Sequence, residues 1–284
     1  MPQTKNEIRD LLSGIEASPQ HRLGQNFMID GNLVRVVAAA GELTKTDAVI
    51  EVGPGTGTLT GELLEGAGRL LAVEIDRKLS AMVAGRYAGI ERVEVLNADV
   101  LAGKHKLHPR VVEWIDESRR AGRAVKLVSN LPYSIASPLV VELLIAGVDL
   151  LAFTVQKEVA QRLKAATDGE LYGPLSIMVQ LLSDVEVLRT MPPQAFWPMP
   201  KIDSALVRLR RRDRLGGHAE VFSRLLHGVF SSRRKTLRKA MELAGVPDAE
   251  GVIAKAGLDG QVRPQNVPVD QWLDLFVARA QAQE

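Results

Sequence analysis

The stretch Ala48-Val-Ile-Glu-Val-Gly53-Pro-Gly55-Thr-Gly57 decides the fold. A short apolar run ends abruptly in three glycines, and helical sequence follows. Three more runs repeat the pattern, each with polar or turn residues at its carboxyl end. Leu70–Val73 leads into Glu74-Ile75-Asp76, Val93–Leu96 into Asn97-Ala98-Asp99, and Val125–Val128 into Ser129-Asn130-Leu131-Pro132-Tyr133. Short buried strands alternating with helices predict an α/β fold with a parallel sheet, whose ligands bind at the carboxyl ends of the strands. Leu151–Val155 and Leu206–Leu209 read as further strands. The segment Gly103–Arg123 interrupts the rhythm and reads as an exposed insertion with an added amphipathic helix carrying Val111, Val112 and Ile115.

Ahead of this core, Thr4 and Glu7 match a capping box, and Ile8, Leu11, Leu12 and Ile15 follow at helical spacing. Behind it, Arg211–Gly217 is charged and glycine-containing, and helical patterns fill the remainder. The expected division is therefore 1–212 for the sheet domain and 213–284 for a smaller helical domain.

Composition narrows the function. The 284 residues are 46% hydrophobic and 25% charged, which supports a sizeable core and argues against disorder. The absence of cysteine excludes disulfides, thiolate metal sites and a cysteine nucleophile. No apolar run is long enough to span a bilayer, and the acidic N-terminal segment lacks the hydrophobic region of a secretory signal. A cytoplasmic location is expected. The net charge of +2 is unevenly distributed. Twelve basic residues between Lys201 and Ala240 face only Asp203, Asp213 and Glu220, a local charge of +9 that leaves −7 elsewhere. Such asymmetry points to a polyanionic partner.

The strand ends carry the chemistry. Glycines at 53, 55 and 57 let the backbone approach a ligand closely, although dehydrogenases and plain tight turns use similar clusters. Glu74 stands where a carboxylate binds ribose hydroxyls. Asp99, one strand on, suits the exocyclic amine of adenine. Together they suit a nucleoside-bearing cofactor. Asn130-Leu131-Pro132-Tyr133 is the most specific run. An adenine N6 amine is a poor nucleophile because its lone pair is delocalised, and acceptors that hold its hydrogens assist it. The Asn130 side-chain oxygen and the Leu131 carbonyl are such acceptors, Pro132 stiffens the turn, and Tyr133 can stack on the base.

These blocks resemble the class I (Rossmann-like) S-adenosylmethionine-dependent methyltransferases that modify adenine, and most closely the ribosomal RNA adenine N6,N6-dimethyltransferase family. The similarity runs in family order through Leu23–Phe27, Val49–Thr60, Val73–Asp76, Asn97–Asp99, Asn130–Tyr133, Val155–Glu158, Phe196–Ala205 and Phe230–Leu237. It implies S-adenosylmethionine as methyl donor, without a metal. It places Asn26, Met28, Gly53, Gly55, Glu74, Asp99 and Asn130 at cofactor positions. It makes Asn130, Leu131, Pro132 and Tyr133 the catalytic motif and Phe196 an aromatic that sandwiches the target base.

The implied product is N6,N6-dimethyladenosine at two adjacent adenosines in a hairpin loop near the 3′ end of small-subunit (16S) rRNA. The implied partner is that RNA or the immature 30S subunit; a monomer is expected separately, because no exposed apolar stripe stands out in the sequence. Three departures stand out: Ser129 where glycine or alanine is usual, Met28 for leucine, and the long Gly103–Arg123 segment. Arg233, Arg234, Lys235 and Arg238 read as one helix laid across RNA phosphates, with Phe222 and Trp272 in the core of the same domain.

Three other readings compete. A large-subunit methyltransferase of the antibiotic-resistance branch is disfavoured by the Phe196–Ala205 and Phe230–Leu237 blocks. A binding protein that has lost turnover, as in related mitochondrial transcription factors, is disfavoured by intact Asn130, Pro132 and Tyr133. A nicotinamide dehydrogenase leaves that motif and the basic stretch unexplained.

Overall fold

The computed structural model describes residues 3–103 and 105–281. Helix α1 (Lys5–Gly14) begins at the capping box: Thr4 accepts from the Glu7 N–H, and the Glu7 carboxylate accepts from the Thr4 N–H at 2.6 Å. Its buried residues, Ile8 and Leu12, pack with Phe27 and Leu79. Each contributes about 1.5–3 kcal/mol through burial. Strand β1 (Phe27–Met28) leads into α2 (Gly31–Ala40), which is capped by Asp30.

The alternation then proceeds as the apolar runs predict. Strand β2 (Ala48–Val52), α3 (Thr58–Gly66), β3 (Arg69–Glu74), α4 (Arg77–Arg86) and β4 (Val93–Asn97) form the first half. A small hairpin, β5 (Leu101–Gly103) and β6 (Lys106–Leu107), precedes α5 (Pro109–Arg120). Strand β7 (Val125–Asn130), α6 (Ala136–Ile145), β8 (Leu150–Gln156) and α7 (Lys157–Leu163) follow. Next come α8 (Pro174–Leu182), β9 (Ser183–Met191), β10 (Phe196–Trp197) and β11 (Ser204–Arg211).

The main sheet has the order β4-β3-β2-β7-β8-β11-β9. Neighbours from β4 to β8 are parallel, and β11 runs antiparallel to β8. The chain winds outward from β2 to β4, then restarts on the other side of β2 with β7 and β8. The switch point therefore lies between β2 and β7, where such sheets open a ligand crevice.

One expectation requires correction here. The segment after residue 103 is no exposed insertion. Helix α5 buries Val111, Trp114, Ile115 and Ser118 and packs on β7. It is the crossover that any parallel connection from β4 to β7 requires. His108 caps it by accepting from the Arg110 N–H at 3.2 Å. Strand β9 has no signature in the sequence, because Ser183–Met191 is an edge strand with mostly exposed side chains and no apolar run.

The chain divides into two compact units, Met1–Ala160 with Glu186–Arg211, and Gln161–Val185 with Arg212–Glu284. The boundary at 212 is thus incomplete, since 161–185 belongs with the C-terminal helices. The reason is α8, whose buried Ile177, Met178, Val179, Leu181 and Leu182 pack on α9 (Ala219–Phe230) and α12 (Val269–Gln281). Between those two lie α10 (Leu237–Leu243) and α11 (Ala249–Lys255). Phe222 meets Phe276 edge-on at 5.3 Å, and Phe230 lies 5.5 Å from Trp272, so both expected core residues are in the core.

Candidate active site

The β2–β7 ladder runs from Ala48/Val125 to Ile50/Leu127 and stops. Beyond it the strands part, leaving the Val52 carbonyl without a ladder partner on that side. The buried Ser129 hydroxyl fills the place, donating to Val52 O at 2.5 Å. The residue that departs from the family pattern therefore satisfies a backbone group where the crevice opens.

Past Val52 the chain takes left-handed conformations at Gly53 (φ +70°) and Gly55 (φ +58°), which β-carbon-bearing residues seldom adopt. Space also demands glycine. A Cβ at 53 would stand 3.3 Å from the Pro132 ring, and one at 55 only 2.8 Å from the Phe27 ring. The loop is held from outside by Arg86, which donates to Thr56 O at 2.7 Å, and by the Tyr87 hydroxyl, which donates to Gly57 O. Gln3 donates to Thr56 O and accepts from the hydroxyls of Thr56 and Thr58.

A cavity of about 270 Å³ opens over this loop. Its wall includes Asn26, Met28, Gly53, Gly55, Glu74, Asp99 and Asn130, which are all seven expected cofactor residues, together with Pro132. Glu74 is buried at the end of β3. One carboxylate oxygen accepts from the Gly55 N–H at 3.1 Å and the other from the Asp76 N–H at 2.9 Å. Burial raises its pKa, while these two N–H donors act in the opposite direction. Asp99 is exposed, with one oxygen accepting from the Leu101 N–H.

Glu51, also in the wall, is fully buried, and its pKa is pushed up to about 8 by desolvation, opposed by the Thr60 hydroxyl. Ile75, 48% exposed beside Asp99, offers an apolar face. Ile75 carries no sequence signal, because an isolated apolar residue at a strand end forms no motif, and the burial of Glu51 is set by packing that its place before the glycines does not reveal.

At the far wall, Asn130 donates from Nδ2 to the main-chain oxygen of Asn26 at 2.7 Å, and its Oδ1 accepts from the Thr154 hydroxyl. Tyr133 is half-buried, its hydroxyl 2.6 Å from that of Ser204. Leu131 is buried. Phe196 departs from expectation. Its ring is 2% exposed within the core cluster that includes Met28, Val34, Val128 and Leu206. It pairs through the backbone with Met28 and presents no face to a base. The neighbouring Trp197 stacks on Phe27 instead.

The basic stretch also separates. Arg208 and Arg210 on β11 are neutralised by Glu42 and Glu186, Arg212 by Asp184, and Arg214 by Asp270. The +9 charge is thus no single surface. Arg233, Arg234 and Lys235 are exposed in the turn between α9 and α10, not in a helix, because Thr236 caps α10 and starts it at Leu237. Among the described residues these three form no ion pair, whereas Arg238 lies near Glu242 and Glu250.

A sheet with β11 inserted antiparallel between β8 and β9, and a glycine-floored crevice flanked by acids on successive strand ends, defines the Rossmann-like class I methyltransferase architecture. Residues 17–281 match the family described as "Ribosomal RNA adenine dimethylase", and the chain belongs to it. It is 36% identical to "Ribosomal RNA small subunit methyltransferase A" of Magnetococcus marinus, covering 94% of each chain. It is 35% identical to the protein of that name from Pelotomaculum thermopropionicum, again over 94% of each.

Among solved structures, the "23S rRNA methyltransferase ErmE" is 28% identical with a TM-score of 0.63, over 90% of this chain and 100% of that one. A dimethyladenosine transferase from Plasmodium falciparum shares the fold, with a TM-score of 0.73 at 23% identity over 90% and 98%. The chain is an rRNA adenine dimethyltransferase by family.

Proposed function

We propose that the protein methylates N6 of two adjacent adenosines in a hairpin loop near the 3′ end of 16S rRNA, yielding N6,N6-dimethyladenosine during ribosome biogenesis. The observation that carries this reading is one cavity that gathers Glu74, Asp99, the glycine loop and Asn130. The small-subunit substrate is favoured over the large-subunit one because the named small-subunit relatives are 35–36% identical along nearly the whole chain.

The residues fit S-adenosylmethionine. A Cβ at Gly53 or Gly55 would press on Pro132 or Phe27, which line the same cavity. Glu74 would receive the ribose hydroxyls, Asp99 the adenine amine, and Ile75 the flat face of the base. When bound, the cofactor supplies an electrophilic methyl group on a sulfonium. The protein's own part is positional. The Asn130 Oδ1 and the Leu131 carbonyl accept the hydrogens of the target amine and orient its nitrogen, while the Tyr133 ring, fixed by Ser204, stacks on the base. No strong base is required, since the amine becomes acidic on alkylation and sheds its proton to water. The splayed loop target agrees with how unpaired RNA bases are recognised.

Arg233, Arg234 and Lys235, which form no ion pair among the described residues, would contact RNA phosphates. We also place the protein in the cytoplasm as a monomer acting on the immature 30S subunit; no helix among the described residues is long and apolar enough to cross a membrane.

The test is parallel incubation of labelled S-adenosylmethionine with small ribosomal subunits lacking the modification and with unmodified large-subunit RNA, followed by mass-spectrometric mapping. Dimethyladenosine at two adjacent loop positions is expected. Label confined to large-subunit RNA, or tight subunit binding without transfer, would overturn the reading.

A further inference from the structure

Asn130 is held at both ends of its amide. The Asn26 main-chain oxygen can only accept a hydrogen bond, so the end of the amide facing it, 2.7 Å away, must be the NH2 group. The opposite end is therefore the oxygen, and the Thr154 hydroxyl beside it must be the donor. The backbone explains the meeting: Asn130 and Thr154 are register partners across the parallel β7–β8 ladder, so their side chains share a face. Thr154 is fully buried, on the strand behind the cavity wall, and lies one residue before the Val155–Glu158 block.

We infer that Thr154 is a positioning residue for methyl transfer, acting through Asn130. This rests on the proposed role of Asn130 as an acceptor for the target amine. A carbonyl oxygen has two lone pairs, and Thr154 occupies one of them. The other is left for the substrate, in a direction set by two fixed bonds. Without the hydroxyl the amide is anchored only at its nitrogen end, and the oxygen gains freedom to swing.

The consequence differs between the two methylations. An unmodified adenine amine has two hydrogens, and Asn130 and Leu131 each hold one. The monomethylated amine has a single hydrogen left, so its alignment depends on a single acceptor. With Asn130 as that acceptor, a loosened amide harms the second transfer more than the first.

The experiment compares wild type, Thr154→Val, Thr154→Ser and Asn130→Ala on unmodified small subunits. It measures kcat, cofactor Kd, melting temperature and the ratio of monomethyl- to dimethyladenosine. Valine keeps the branched shape and removes the hydroxyl. It should lower kcat about tenfold, leave cofactor Kd within about twofold, and cause monomethyladenosine to accumulate. Serine should restore both rate and product ratio. A valine variant with wild-type kcat and product ratio overturns the inference. So does a valine variant whose cofactor binding and melting temperature fall together with no recovery in serine, since that marks a packing role. An active Asn130→Ala would instead sink the reading of Asn130, and a wild type without dimethyladenosine would sink the proposed function.

Discussion

The Ser129 hydroxyl donates to the main-chain carbonyl of Val52 across the point where β2 and β7 separate. Both residues are buried, so the bond replaces a ladder contact that the cavity's opening forbids. Ser129→Ala leaves that carbonyl unsatisfied and should destabilise the protein by about 1–2 kcal/mol. Cofactor affinity should change little, because Ser129 is not part of the cavity wall. Urea unfolding with and without S-adenosylmethionine checks both statements, and an unchanged midpoint would show that the bond contributes nothing.

Glu74 spends one lone pair of each oxygen on the backbone N–H groups of Gly55 and Asp76. Those bonds lock the carboxylate and leave its remaining lone pairs for a diol. Glu74→Gln keeps the size but puts an NH2 against a main-chain N–H. Cofactor affinity should fall at least about tenfold, as expected when a hydrogen bond to a charged acceptor is lost. Calorimetric titration with S-adenosylmethionine measures this; affinity within twofold of wild type would remove Glu74 from the cofactor site.

Glu51 predicts a pH dependence. Desolvation holds its native-state pKa near 8, against an ordinary value of 4.5. Between those values the unfolded chain has released the proton and the native protein retains it, so unfolding releases a proton. Stability attributable to this group is thus complete below about pH 4.5 and declines as pH rises toward 8. Glu51→Gln abolishes the titration. Its stability relative to wild type should rise by as much as a few kcal/mol from pH 5 to pH 8.5. Denaturant melts across that range should diverge; parallel curves would mean that Glu51 ionises normally.

The exposed turn Arg233-Arg234-Lys235 and the paired arginines of β11 should behave differently toward RNA. Replacing all three turn residues with alanine should weaken RNA binding and lower the log–log salt slope by at most about three units, one per lost phosphate contact. Arg210→Ala removes a side chain already bound by Glu42, and should leave that slope unchanged. Filter binding at several salt concentrations separates the two, and equal slopes for the triple variant and wild type would place the RNA surface elsewhere.

Much of the fold is legible in the sequence. Strand ends mark themselves by a change from apolar to turn residues, so β2, β3, β4 and β7 and the acids at the tips of β3 and β4 can be read directly. Helix α5 was misread because its role depends on which strands it joins, and Trp114 and Ile115 look alike in an exposed helix and in a crossover. Strand β9 was missed because an edge strand is held by backbone pairing, which leaves little trace in side-chain pattern.

The sequence by itself determined the alternation of β2, β3, β4 and β7 with helices, the glycine-floored loop, the carboxylates after β3 and β4 and the Asn-Leu-Pro-Tyr run, because these follow from local periodicity and residue chemistry. Tertiary structure alone decided which of them meet. It set Thr154 against Asn130 and Ser129 against Val52, turned Phe196 into the core, and split the basic stretch into paired arginines and a free turn. Such pairings come from strand register and from contacts between residues far apart in the chain, and no local pattern encodes the distance between two side chains on different strands.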